Sequence, residues 1–287
     1  MNSSFTTPAA RERFLAAYRP ALAPFPSSTP IRTPFGTAVA HHGGTGTGTP
    51  VVLLSGAGGN AVAWHRYVAP LGRDHPVVAL DLIGEPGLAE QTRPITGTAE
   101  AVECLTATLD GLDTPRMHLV GMSYGGWAAL RYAIAAPSRV ASVTLLDPAG
   151  FGRVTAGFMV WLIAGGLAGL APRGLRHRLA GPVRNATLRD DHLAAMLPSL
   201  MRFRRRIPAP AVFTDEELAS VTAPAMFLLG EHSALYPAAD AAARLESVMP
   251  AARVEIIRGA SHDVPTYAPE LVAERMTNFL ESVHHGQ

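Results

Sequence analysis

The stretch HLVGMSYGGWAAL, residues 118–130, sets Ser123 between Gly121 and Gly125 where an apolar run gives way to a helical pattern. A serine on a sharp strand-to-helix turn has its hydroxyl held at the carboxyl edge of a sheet, beside the positive end of a helix. Such a turn requires small neighbours. Ser123 is therefore the candidate nucleophile. A serine nucleophile attacking a carbonyl needs two backbone N–H groups aimed at the developing oxyanion. Tyr124, the residue after the serine, offers one. The other is sought in VVLLSGAGGNAVAW (51–64), where Gly56, Gly58 and Gly59 let backbone approach a carbonyl closely and Ala57 is the donor.

The chain has eleven histidines. His41 and His42 read as a hairpin-like turn and His284 and His285 as tail, all solvated. His262 lies in IIRGASHDVPTYAPELVAERMTNFL, after the last apolar run and ahead of the final helix. A Ser–acid–His chain order puts its base there. Asp263 is next to His262, and adjacent side chains point apart, so it is set aside as a partner.

The elements that must position these groups alternate. The runs VVLLSG (51–56), VVALDL (77–82), MHLVG (117–121), SVTLLD (142–147), AMFLLG (225–230) and VEIIRG (254–259) are strand-length and apolar at consecutive positions. That is the pattern of parallel strands buried on both faces. Helical patterns fall at 99–110, 124–136, 238–249 and 269–283. The class is thus α/β with a mainly parallel sheet. Residues 1–30 read as a helix over 8–20 followed by a Pro-rich arm. About eighty residues separate SVTLLD from AMFLLG, too many for a plain loop. Residues 151–211 therefore read as an inserted helical cap, with the core formed by 31–150 and 212–287.

With 287 residues, 48% of them hydrophobic, the chain can bury one large core. A net charge of +1 gives no global attraction to nucleic acid. Every basic residue among the 24 Lys and Arg is arginine, which excludes Schiff-base, pyridoxal-phosphate and Walker-A lysine chemistry. Cys104 is the single cysteine, so no internal disulfide forms, and it reads as a small buried hydrophobe. The N-terminus has no long apolar segment of the secretory kind. Together these suggest a cytoplasmic protein.

The cap stands apart in chemistry. VTAGFMVWLIAGGLAGLA (154–171) is uncharged, at the lower limit of a membrane span, yet rich in glycine. It reads as a buried lid helix, with a membrane-interface role as the alternative. A true span would put the strands of one sheet on opposite sides of a bilayer. Residues 151–211 also hold ten arginines against two aspartates. The run RFRRR (202–206) reads as a solvated helix face, the alternative being an anionic carrier or an acidic lipid surface.

Taken together, these motifs resemble the α/β-hydrolase superfamily over residues 31–283. DLIGEPG (81–87) looks like that family's loop after the fourth strand, and RVASVTLLDPAG (139–150) like its sixth strand, with the insertion following at the usual place. The resemblance implies an eight-stranded sheet and cofactor-free, metal-free acyl transfer to water, commonly from esters, thioesters or lactones. The apolar lid points to a hydrophobic acyl part. The departure is the third triad member. The family's usual aspartate after the seventh strand falls on Ser233, in GEHSALYP (230–237). Asp147, ending the sixth strand, is the leading substitute, Glu231 the alternative, and a site without an acid remains open. The altered acid keeps a second reading in play, a C–C hydrolase, lyase or cyclase. A non-catalytic binding protein is the third. Ser55 stands where relatives often carry histidine, which bears on how the loop is anchored.

Overall fold

The computed structural model describes residues 1–153 and 155–285. Its main sheet contains β1 (Ser27–Thr33), β2 (Gly36–Gly43), β3 (Val51–Leu54), β4 (Val77–Asp81), β5 (Met117–Met122), β6 (Val140–Leu146), β7 (Ala225–Gly230) and β8 (Arg253–Ile257). Their spatial order is β8-β7-β6-β5-β3-β4-β2-β1. From β8 to β4 neighbours run parallel, and β2 is antiparallel to β4 and β1. A ninth, two-residue strand, Glu90–Gln91, pairs with the start of β2, one more than the eight the family pattern implies.

The consecutive apolar runs have a plain cause. Val52 and Leu54 of β3 and Val78 and Leu80 of β4 enter one core, while Val51, Leu53, Val77 and Ala79 enter the core on the opposite face. Alternation that would leave one face polar is absent because helices cover both faces. On one side lie α2 (Thr98–Asp110), α3 (Tyr124–Ala135) and α7 (Ala238–Val248); on the other lies α8 (Pro269–His285). Cys104 is buried within α2.

Two expectations for the N-terminus change. Residues 27–33 form an edge strand rather than a loose arm, so a boundary at residue 30 falls inside a strand. Pro30 is tolerated there because an edge position needs no ladder N–H from it. Helix α1 (Pro8–Ala21) is also not separate. Its Phe14 and Tyr18 pack with Val62 and Met196, the latter from the insertion.

The insertion between β6 and β7 carries α4 (Ala156–Gly169), α5 (Arg173–Leu179) and α6 (Asp191–Leu200). Val154, the first residue of the apolar run, lies outside the described residues. The end of the interval is extended rather than helical. Phe203–Arg204 pairs antiparallel with Ser4–Phe5, so RFRRR is no helix face.

Candidate active site

Ser123 sits at the β5–α3 junction with φ 52° and ψ −118°, a conformation L-residues rarely adopt. Such backbone costs about 1–3 kcal/mol and persists only where its surroundings fix it. Here the Ser123 N–H donates to the Leu146 carbonyl (3.1 Å), and its own carbonyl accepts from Trp127 N–H and Ala149 N–H (3.0 Å each). The glycines are steric requirements. A Cβ on Gly121 would collide with the Gly125 carbonyl oxygen, and one on Gly125 with the Leu54 carbonyl oxygen.

His262, in the loop between β8 and α8, reaches this serine. Its Nε2 lies 2.9 Å from Ser123 Oγ and its Nδ1 2.7 Å from Asp147 Oδ2. All three side chains are buried. Asp147 follows β6 with φ 44°. Its second oxygen, Oδ1, accepts from the Gly230 N–H at 3.0 Å. Ser233, at the family's usual acid position, donates its hydroxyl to Asp147 Oδ2 at 2.6 Å. The residue that replaces the usual carboxylate thus braces the carboxylate of the neighbouring strand. Tyr236 is buried close by, and burial, then the Asp147 charge, raise its phenol well above the ordinary value.

The other carboxylates named from the sequence are engaged elsewhere. Glu231 Oε2 accepts from Gly259 N–H (2.7 Å) and lies 3.8 Å from His232 Nε2, on a half-exposed side chain. Asp263 turns away from the site and accepts from Thr187 N–H (2.9 Å), tying the histidine loop to the insertion.

The glycine loop after β3 forms a tight turn, with Gly59 N–H donating to the Gly56 carbonyl (2.9 Å) and Gly58 at φ +73°. It passes beside the serine. A Cβ on Gly56 would stand 3.2 Å from Ser123 Cβ and 3.8 Å from Ser123 Oγ. Ala57 is the next residue. Tyr124 N–H belongs to the first turn of α3, where no intrahelical acceptor exists. Ser55 Oγ donates to the Asn60 carbonyl (2.6 Å), closing the base of the loop.

Sequence reasoning missed the brace behind this loop. Glu85, buried, accepts from Gly58 N–H (2.8 Å) through one oxygen and from Arg205 Nε (2.7 Å) through the other. Burial raises the Glu85 carboxyl above its ordinary value, against the opposing pull of Arg205 and the Gly58 N–H. The Arg205 guanidinium also stacks 4.6 Å over the Tyr124 ring. Arg205 of the basic run therefore faces inward, with a charge partner inside the fold. The DLIGEPG motif carried Glu85 in plain view, but nothing local pairs it with a residue 120 positions away.

A second Ser–His–Asp string exists. His41, expected to be solvated, is fully buried on β2. Its Nδ1 lies 2.8 Å from Ser28 Oγ and its Nε2 3.0 Å from Asp81 Oδ2. Asp81 also accepts from the Tyr18 hydroxyl, Ala61 N–H and Leu88 N–H. This carboxylate pins a helix and two loops, and Ser28 lies on an ordinary extended edge strand. His42 bonds Thr29 and is partly buried; His284 is exposed, and the side chain of His285 lies outside the described residues.

Over the site lies α4. Phe158 and Trp161 present near-perpendicular ring contacts to His262, with centroids at 5.3 and 5.7 Å. The inner face of the insertion is thus an apolar, aromatic roof. A buried serine, imidazole and carboxylate in one hydrogen-bonded line, with two glycine loops at the serine, can do acyl transfer.

The alpha/beta hydrolase family model matches residues 51–275, so the chain belongs to that family. It is a hydrolase related to carboxylesterases. It is 26% identical over 288 residues to carboxylesterase YbfK of Bacillus subtilis, covering 93% of each chain. It is 27% identical to the uncharacterized carboxylesterase nap of the same organism, covering 94% of this chain and 93% of that one. Among solved structures, naproxen esterase from Bacillus subtilis superposes with a TM-score of 0.80 at 24% identity, covering 94% of this chain and 97% of that one.

Proposed function

We propose that this hydrolase cleaves carboxylic esters, and by the same chemistry thioesters or lactones, with a hydrophobic acyl part, through an acyl-enzyme on Ser123. The single observation that carries the reading is the strained, buried Ser123 joined through His262 to Asp147 at 2.9 and 2.7 Å. Ser123 Oγ attacks the carbonyl carbon while His262 Nε2 accepts its proton. Asp147 holds the Nδ1–H and stabilises the imidazolium. The N–H groups of Ala57 and Tyr124 receive the oxyanion. Collapse expels the alcohol or thiol, which takes the proton from Nε2. Water then repeats the sequence on the acyl-enzyme, releasing the acid and restoring Ser123. The relatives named carboxylesterases support the ester reading, and the aromatic roof formed by Phe158 and Trp161 supports an apolar acyl group.

A p-nitrophenyl ester series from acetate to decanoate tests this. The expected result is a p-nitrophenol burst stoichiometric with enzyme, and kcat/KM rising with chain length. A series that is flat or falls with length overturns the hydrophobic acyl assignment. Absence of turnover with every ester, beside cleavage of a C–C bond in a 1,5-diketone, would move the chain to the C–C hydrolase reading.

A further inference from the structure

Twelve large apolar side chains are exposed among the described residues, and seven of them fall between 159 and 175. Five belong to α4, namely Met159, Val160, Leu162, Ile163 and Leu167, and Leu170 caps its C-terminus, with Val160 66% and Leu167 62% exposed. At 3.6 residues per turn they share an arc of about 160°. Phe158, Trp161, Gly165 and Ala168 occupy the opposite arc, toward the protein. No charged residue occurs in the helix. Single exposed hydrophobics need no explanation, but a contiguous apolar face marks a contact site. Leu175 is likewise exposed, on the next helix, α5.

The borders of this face are positive. The only acids in 151–211 are Asp190 and Asp191. Asp190 is buried and caps α6. Asp191 is bound by Arg173 and Arg176. Arg153 precedes α4. Arg178 lies one turn beyond Leu175 on α5. Arg184 flanks α4, its carbonyl accepting from Trp161 Nε1 at 3.0 Å. These three arginines are exposed and make no ion pair among the described residues. Length fixes how such a helix meets a lipid. Fourteen residues span about 21 Å, against about 30 Å for a hydrocarbon core, and no helix among the described residues is long and apolar enough to cross a membrane. An uncharged apolar face with a basic border suits a position in the plane of an anionic bilayer surface. A second copy suits it less, because an isologous pairing of this face would set its arginines against their own equivalents.

We propose that the outer face of α4, bordered by Arg153, Arg178 and Arg184, docks the protein on anionic lipid surfaces. Docking would place the roof of the site at the lipid boundary. The test is cosedimentation of the full chain with vesicles of phosphatidylcholine alone and of phosphatidylcholine with one-quarter phosphatidylglycerol. Binding is read by mass, so it stands or falls apart from the esterase reading. Each basic side chain held at an anionic surface is worth about fivefold in partitioning. Phosphatidylglycerol vesicles are therefore expected to bind at least about thirtyfold better than phosphatidylcholine alone. Arg178→Gln with Arg184→Gln should remove about thirtyfold, and Leu167→Glu at least about tenfold. All variants should keep their hydrolysis of p-nitrophenyl acetate, which shows them folded. No binding to either vesicle, or binding that Leu167→Glu leaves intact, overturns the proposal. So does a dimer in vesicle-free solution that Leu167→Glu dissociates, since a second copy would then own the face.

Discussion

Replacing Arg205 with methionine removes the cation that faces a buried carboxylate while keeping an apolar stem over the Tyr124 ring. Arg205 is only 23% exposed and Glu85 3%, so solvent does little to screen the loss. Breaking a buried pair from one side costs about 3–5 kcal/mol. At about 2.1 cal/mol/K of unfolding entropy per residue, that is a Tm drop of about 5–8 °C for a chain this long. The drop has a pH signature. Burial already raises the Glu85 carboxyl, and loss of Arg205 lets it rise further. A group whose folded-state pKa is raised binds its proton more readily in the folded chain, so stability falls as pH climbs from the unfolded value to the folded one. The Arg205→Met deficit should therefore be smallest at the acid end of the range and grow as pH rises. Adding Glu85→Gln should recover most of the loss, because the amide oxygen still accepts from Gly58 N–H without a stranded charge. Calorimetry of the wild type, both single variants and the double variant across pH 5–8 measures this cycle. Kinetics should follow, with kcat falling in Arg205→Met because the Ala57 loop hangs from Gly58, and KM for a small ester little changed. A pH-independent deficit, or no recovery in the double variant, would refute the brace and return Arg205 to an ordinary surface cation.

Asp147→Asn should lower kcat on the order of 10⁴-fold. Its oxygen must stay on the Gly230 N–H, which turns the NH2 toward His262 Nδ1 and forces the wrong tautomer; steady-state ester kinetics reads it. Glu231→Gln should change kcat less than about threefold, since its partners are the Gly259 N–H and His232. Ser233→Asp, although it restores the family's usual residue, should slow turnover, because it replaces the hydroxyl that donates to Asp147 with a second carboxylate of like charge. Ser233→Ala should cost only about 1 kcal/mol in transition-state stabilisation, measured as kcat/KM.

The sheet was legible wherever both faces of a strand are buried, because the apolar run then needs no partner to be recognised. The edge strand 27–33 was not, since four of its first residues are exposed and Pro30 argues against a strand. Only its pairing with β2 makes it one. Ser123 and His262 were legible from their turns. Which carboxylate meets His262 was narrowed but left open, because the choice between Asp147 and Glu231 depends on which strand ends meet. Parallel pairing of Leu145 with Phe227 and Leu146 with Leu228 brings Asp147 against Gly230, and that register is a tertiary fact. The same limit hid His41. Its neighbours in sequence look like a turn, and its burial comes from Tyr18 and Asp81, 23 and 40 residues distant. The basic run misled for a related reason, since charge density alone does not reveal that Arg205 turns inward.

The central claim is that Ser123 is the nucleophile. A fluorophosphonate probe followed by peptide mass mapping tests it most directly, because among the described residues both Ser123 and Ser28 lie within hydrogen-bond distance of a histidine that in turn meets a carboxylate. The account predicts one adduct, on the peptide carrying Ser123, absent in Ser123→Ala and undiminished in Ser28→Ala. An adduct that persists in Ser123→Ala, or one found on the peptide carrying Ser28, would contradict it.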